Sequence, residues 1–377
     1  MLIGIDASRA LSAQRTGTEN YSLQVIRHLL ALDSPHHFRL YCAHPPQPGL
    51  FDLPAASPNP RAEVRVIPFP RLWTHLRLSL EMTQHPPDVL FVPSHVLPIL
   101  HPRRSVVTVH DLGYHLFPAA HKPLDRTYLN YSTRFNAHSA AHVLADSQAT
   151  RDDLVRFTGV AAAKVTVVYL GRDETLHPVP DTASRAAALQ RLGVAVPGQP
   201  VPPYILYVGT LQPRKNLLRL LDAFALVRSQ HPELRLVLAG KLGWLSEPIV
   251  QRAAALGNAV LFPGFIPDAD LPALLTGALA FAFPSLYEGF GFPVLEAQAC
   301  GTPVLAANTS SLPEVAGDAA LLVDPLDTEA IAAGLLRLVD DAGLRGQLRA
   351  AGFANLARFS WRRCAEQTLA VLEAVAA

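Results

Sequence analysis

The segment Phe281–Val304 reads FAFPSLYEGFGFPVLEAQACGTPV. An apolar strand over Leu279–Phe283 stops at Pro284, a loop carrying Gly289 and Gly291 follows, and a helix opens near Phe292. Glycines let a backbone approach a ligand closely. The unpaired N–H groups and the dipole at a helix N-terminus favour phosphate. Two glutamates bracket this loop and helix, Glu288 at the loop tip and Glu296 one turn into the helix. A carboxylate accepts paired hydrogen bonds of the kind that vicinal hydroxyls offer, so Glu288 suits a sugar and Glu296 a ribose. The competing reading makes Glu288 a loop charge and Glu296 a solvated helix residue.

Outward from this segment, short β-branched runs alternate with longer amphipathic ones along almost the whole chain. Strands are expected at Leu2–Asp6, His37–Cys42, Glu63–Ile67, Asp88–Val92, Ser105–Val109, His142–Asp146 and Val165–Tyr169. Helices are expected at Thr18–Leu32, Leu72–Thr83, Lys122–His138 and Ser147–Phe157. A second series of strands runs from Tyr204–Val208 through Leu234–Ala239, Ala259–Phe262, Leu279–Phe283 and Pro303–Leu305 to Ala320–Val323. Such alternation predicts an α/β fold with parallel sheets covered on both faces. The 377 residues fit two Rossmann-like domains: 1–173, and 204–359 after a hinge at 174–203 that holds an Ala-rich helical piece and the run VPGQPVPP. The closing helix, 360–377, is free to pack back on the first domain.

Open α/β sheets bind ligands beyond the carboxyl ends of their strands, and the remaining candidate motifs sit there. In Tyr204–Leu217, YILYVGTLQPRKNL, the strand ends at Gly209 and the next loop carries Arg214 and Lys215, cations able to neutralise a diphosphate leaving group. An Arg-Lys pair by itself is more often a solvated surface feature. In Val106–Pro118, His110 ends a strand and precedes Asp111. A lone histidine there is by default a structural hydrogen-bonder, and no third side chain has metal-ligand spacing. In Arg15–Tyr21, RTGTENY, Gly17 opens a helix. Neither GxGxxG nor GxxxxGK[ST] is present.

Taken together, Glu288–Gly–Phe–Gly–Phe–Pro–Val–Leu–Glu296 and Cys300–Gly–Thr–Pro–Val304 resemble the E-x7-E signature of retaining glycosyltransferases of family 4, which have the GT-B fold with two Rossmann-like domains facing across a cleft. The resemblance covers nearly the whole chain and thins over Cys42–Thr83. It implies that Glu288 contacts the transferred sugar and Glu296 the donor ribose. The backbone of Gly289, Phe290, Gly291 and Phe292 would contact sugar and diphosphate, and Arg214 and Lys215 would grip the pyrophosphate. Gly209 marks the entry to the second domain, the backbone at Phe265 and Ile266 meets the base, and His110 faces the donor sugar. Gly17 would let the first domain approach the phosphates. The family's usual second glycine is missing there, which leaves that loop's contacts open.

The resemblance implies metal-independent transfer of a hexose from a nucleotide sugar, GDP-mannose ahead of UDP-glucose. The acceptor would be a glycan, lipid-linked or small-molecule hydroxyl, and no cofactor is implied. A nucleotide-sugar epimerase, a phosphorylase and a non-catalytic nucleotide-sugar-binding protein are the rival readings.

Lysine plus arginine number 32 against 31 acidic residues, which disfavours nucleic acid as a partner. Cys42, Cys300 and Cys364 are scattered and odd in number, against a disulfide framework or structural zinc and in keeping with a cytoplasmic setting. No leader peptide or apolar span of about 20 residues is legible. Pro70–Gln84, PRLWTHLRLSLEMTQ, spaces Leu72, Trp73, Leu76 and Leu80 at helical intervals opposite Arg71, His75 and Arg77. A core-packed helix is the favoured reading; peripheral contact with the inner face of a membrane is the alternative.

Overall fold

The computed structural model describes residues 1–12, 17–52, 61–117 and 123–377. The chain forms two compact units, one of Met1–Gly171 with Phe359–Ala377 and the other of Arg172–Arg358.

The first unit holds a seven-stranded sheet of β1 (Leu2–Asp6), β2 (His37–Cys42), β3 (Ala62–Val66), β4 (Val89–Val92), β5 (Ser105–Val109), β6 (His142–Ala145) and β7 (Val165–Val167). Their order is β3-β2-β1-β4-β5-β6-β7, and every pair is parallel. β4 and β5 are buried along their whole length. Continuous burial, in place of in-out alternation, is what strands covered on both faces show. The strand order reverses between β1 and β4, which opens a crevice beyond their carboxyl ends. The final helix, Trp361–Ala376, packs on the helix Gly17–Ala31 and against β4, β5 and β6. Trp361 lies 6.2 Å from Tyr21, ring centre to ring centre.

The second unit is built the same way from β8 (Tyr204–Val208), β9 (Arg235–Ala239), β10 (Val260–Gly264), β11 (Ala280–Phe283), β12 (Val304–Ala307) and β13 (Ala320–Val323). The order β10-β9-β8-β11-β12-β13 is again all parallel, with its switch between β8 and β11. Tyr207, Phe283 and Phe281 stack in series through its core.

Two expectations change in detail. The stretch 174–203 is part of the second unit and not a separate hinge. It carries the helix Thr182–Arg191, N-capped by Asp181, which belongs to the second unit. Arg191 pairs with Asp270 at 2.5 Å and Thr276 accepts the Val179 N–H at 3.1 Å. Leu72–Thr83 is not one regular helix. Leu72 is left-handed (φ 53°), a π-helical turn covers Trp73–Leu78, and α-helix resumes over Ser79–Gln84. The anchor is Trp73, whose indole N–H donates to the Ile67 carbonyl at 2.7 Å.

Candidate active site

In the second unit the loops after β8, β9 and β10 are fastened to one another. The Gly209 N–H donates to Ala239 (2.9 Å), Gly240 to Gly264 (2.7 Å) and Leu211 to Lys241 (2.9 Å). Gly209 and Gly240 both have positive φ, and a Cβ on Gly240 would lie 2.0 Å from the Gly209 carbonyl oxygen. Only glycine permits this approach.

Arg214 and Lys215 occupy the short 3-10 turn Pro213–Lys215. Asn216 follows in the left-handed region, a conformation asparagine tolerates better than most residues. Its side-chain amide donates to the carbonyls of Pro284 (3.1 Å) and Pro325 (2.6 Å). The Leu286 N–H donates to the Arg214 carbonyl at 2.9 Å, and Arg214 Nη1 donates to the Tyr287 carbonyl. The basic turn and the loop after β11 are thereby one clamped structure.

Glu288 lies between the two cations: Oε2 is 3.0 Å from Arg214 Nη1, and Oε1 is 2.5 Å from Lys215 Nζ. All three side chains are largely buried. Burial alone would hold the carboxyl protonated, but the charges of Lys215 and Arg214 outweigh it, and the Glu288 pKa falls below its ordinary value. Lys215 Nζ also stands 5.0 Å over the Phe283 ring. The loop is held from its other side as well. The Glu288 N–H donates to Ser310 Oγ at 3.0 Å, and Ser311 Oγ is 2.9 Å from the Glu288 carbonyl and 2.6 Å from that of Phe290. Ser310 takes a positive φ of 51° to make this contact.

Gly291 (φ 117°) is the N-cap of the helix Phe292–Ala299 and has no side chain to cap it. A Cβ there would meet Leu312 Cδ2 at 2.8 Å. Glu296, on this helix, is partly buried. Burial first, then the charges of Asp173 and Asp268, push its pKa up to about 7. It is therefore not the freely solvated helix residue of the competing reading. Phe265 follows β10 and is 64% exposed, with Lys241 Nζ 5.2 Å over its ring, while Ile266 beside it is buried.

In the first unit, His110 directly follows β5. Its Nδ1 is 2.6 Å from Asp146 Oδ2 at the end of β6. Burial opposes the imidazolium, but the Asp146 charge and hydrogen bond prevail and the pKa rises. Tyr21 packs edge-on at 4.9 Å and is held by its hydroxyl, 3.0 Å from Thr108 Oγ1. Gly17 is the first residue of that tyrosine's helix; Arg15 and Thr16 lie outside the described residues. Asp111 Oδ1 accepts the Gly113 N–H at 3.0 Å, a turn contact.

Arg214, Lys215 and Glu288 are thus in direct contact. Gly209, Phe265, Ile266, Gly289, Phe290, Gly291, Phe292 and Glu296 share the second unit with them, while His110 and Gly17 share the first. Sequence reasoning missed Asp146, His95, Asn216, Ser310 and Ser311. His95, in the loop after β4 at the switch point, has its ring centre 5.5 Å from that of His110. Burial and then the His110 charge lower its pKa. The strand-end rule that singles out His110 applies equally to His95 and Asp146. Among the described residues no group of three His, Cys, Asp or Glu side chains is placed to hold a metal ion, and no helix is long and apolar enough to cross a membrane.

Two Rossmann-like α/β units of this topology have the fold of GT-B glycosyltransferases. The chain belongs to glycosyltransferase family 4: residues 15–176 match the model "Glycosyltransferase Family 4" and residues 197–354 match "Glycosyl transferases group 1". It is similar to O-antigen chain mannosyltransferase B of Escherichia coli, at 37% identity over 274 residues, covering 71% of this chain and 69% of that protein. The serotype-specific mannosyltransferase WbdA of Escherichia coli is 31% identical over 243 residues, 63% of this chain and 29% of WbdA. The Anabaena protein Alr3699/HepE, solved with UDP and glucose, superposes with a TM-score of 0.73 at 20% identity, covering 99% of each chain. The protein is a glycosyltransferase enzyme.

Proposed function

We propose that this enzyme transfers a mannosyl residue from GDP-mannose, with UDP-glucose the next donor in order, to a hydroxyl of a growing glycan or lipid-linked saccharide. The transfer retains anomeric configuration, needs no metal, and takes place in the cytoplasm during polysaccharide assembly. The buried contact of Arg214 and Lys215 with Glu288, at the tip of the Gly291 helix, carries this reading. The two cations can exchange their carboxylate for the diphosphate, whose negative charge grows as the bond to the sugar C1 breaks. Glu288, held ionised, then accepts hydrogen bonds from sugar hydroxyls, and Glu296 accepts them from the ribose. The acceptor hydroxyl attacks C1 on the face that the diphosphate leaves. His110, whose imidazolium form Asp146 favours, is the first unit's contribution to holding the donor sugar.

The mannosyltransferase names of the first two relatives support the sugar, and the E-x7-E resemblance supports retention. The test is a donor panel scored by nucleoside diphosphate release, with and without EDTA, followed by product anomer assignment. Release from GDP-mannose, undiminished by EDTA and yielding an α-linked product, is expected. A strict metal requirement, an inverted product, or release from none of the donors would overturn the corresponding part.

A further inference from the structure

The Lys215 ammonium has a neighbour that the transfer chemistry above does not use. Phe283 closes β11 and is fully buried, and Lys215 Nζ stands 5.0 Å over the centre of its ring. The ring thus meets the charged tip of the lysine. A cation is drawn to the negative face of an aromatic ring, most strongly where water is excluded, and Lys215 is itself buried.

Ring and ammonium are held together from both sides. Asn216, the residue after Lys215, donates its side-chain amide to the carbonyl of Pro284, the residue after Phe283, at 3.1 Å. The ring is wedged in turn. Phe281 stacks on it at 5.7 Å with 20° between the planes, and Tyr207 at 5.9 Å with 15°. Phe281 and Phe283 lie two apart on one strand and so share a face of the sheet. Tyr207 is anchored by its hydroxyl, which donates to the Thr210 carbonyl at 3.1 Å, in the loop that leads to Arg214. A ring packed on this scale has no room to swing aside.

The chemical nature of this partner matters. When a diphosphate displaces Glu288 from the two cations, Lys215 must keep its place without that carboxylate. A second acidic residue would steady the ammonium but repel the phosphates. A carbonyl would take up one of the three N–H donors that an ammonium has. An aromatic face carries no net charge and still stabilises the cation. Arg214, with its five donors, keeps the Tyr287 carbonyl as an uncharged partner; Lys215 keeps a ring. We propose that Phe283 is a positioning residue for the reaction: its ring face holds the Lys215 ammonium in place while the Glu288 carboxylate gives way to the diphosphate. The inference rests on the reading that Lys215 grips that diphosphate, and it is independent of the base and of the sugar.

Ring fluorination is the test, since it drains the negative face while barely changing the size of the ring. The full chain is prepared with phenylalanine bearing one, two or three ring fluorines in place of Phe283, and separately in place of Phe281. With each added fluorine on Phe283, affinity for GDP and for UDP by calorimetry, and kcat/KM for nucleoside diphosphate release, are expected to fall stepwise, by about tenfold in all. Phe283→Leu should fall at least as far. The same fluorines on Phe281 disturb the same packing and should leave the three quantities unchanged. The geometry can also be read without ligand. The chain has four lysines, Lys122, Lys164, Lys215 and Lys241, so isotope-labelled lysine gives few NMR signals. The Phe283 ring current should move the Lys215 ε-protons upfield in the parent and not in Phe283→Leu. A flat fluorine series on Phe283, equal losses on Phe281, or Lys215 ε-protons at their ordinary position would overturn the proposal. Any of these beside an inactive Lys215→Ala would leave the diphosphate reading standing, whereas Lys215→Ala with undiminished turnover would overturn both together.

Discussion

Lys215 Nζ and Glu288 Oε1 are 2.5 Å apart, in a buried cluster where Glu288 Oε2 also lies 3.0 Å from Arg214 Nη1. The glutamate balances the two cations and keeps them aligned. Replacing it with the neutral isostere Glu288→Gln should leave two poorly balanced buried cations. Losing one partner of such a pair costs about 3–5 kcal/mol, so the melting temperature is expected to fall. GDP affinity is expected to rise, since the phosphates no longer compete with a carboxylate, while kcat drops about a hundredfold or more. Thermal melts, GDP calorimetry and steady-state rates read the three effects; weaker GDP binding would contradict the account.

Arg214 Nη1 donates to both the Tyr287 carbonyl and the Glu288 carboxylate. Arg214→Ala is expected to lower kcat/KM about a hundredfold. Arg214→Lys should recover only a small part of it, because the shorter lysine side chain does not bring its ammonium to the Nη1 position that makes both contacts. Full activity in the lysine variant would show that charge alone suffices.

His110 owes its raised pKa to Asp146. A raised histidine pKa adds stability that is present in full below the unfolded-state value of about 6.5 and is lost as pH rises through the folded value. Asp146→Asn removes the cause while burial remains, so the His110 pKa should drop below its ordinary value. Histidine ring resonances in an NMR pH titration report this directly. The stability difference between parent and variant should shrink above neutral pH.

Glu296 presents the opposite sign. Its pKa is pushed up to about 7 from 4.5, so ionising it costs folding stability, and that cost appears as pH rises from about 4.5 through 7. At about 1.4 kcal/mol per pH unit the cost is at most on the order of 3 kcal/mol, less whatever solvent screening removes from a partly exposed group. Glu296→Gln should be the more stable protein at about pH 8 and nearly equal to the parent at about pH 4.5. Urea melts at the two pH values check this.

Gly291 combines a φ of 117° with a 2.8 Å clearance between its notional Cβ and Leu312. Gly291→Ala is expected to cost about 1–3 kcal/mol of stability and to raise the donor KM by displacing the start of the helix Phe292–Ala299. Calorimetry and steady-state kinetics test both effects.

Strand identities were legible because buried parallel strands must be short, apolar and β-branched, as Ser105–Val109 and Tyr204–Val208 are. Glu288, Glu296 and the Arg214–Lys215 pair were legible as spaced polar residues after strands. Their mutual contacts were not. Arg214 and Glu288 are separated by more than seventy positions, and no local periodicity records that their loops share a hydrogen bond. Asp146 escaped notice for a similar reason: in sequence it precedes an N-cap serine, and only the pairing of β5 with β6 sets it beside His110. The left-handed Leu72 and the π-turn were invisible too, since an amphipathic pattern reads as plain helix until the Trp73–Ile67 contact displaces it.

By itself the sequence determined the two α/β units, their parallel sheets and the loops on which chemistry must sit, because hydrophobic periodicity and glycine placement are local properties of the chain. Tertiary structure alone decided which charges neutralise one another, which carboxyl stays ionised and which is pushed toward protonation, and which ring meets the Lys215 ammonium. Those outcomes depend on burial and on distances between residues far apart in the chain, and both come into being only when the sheets assemble.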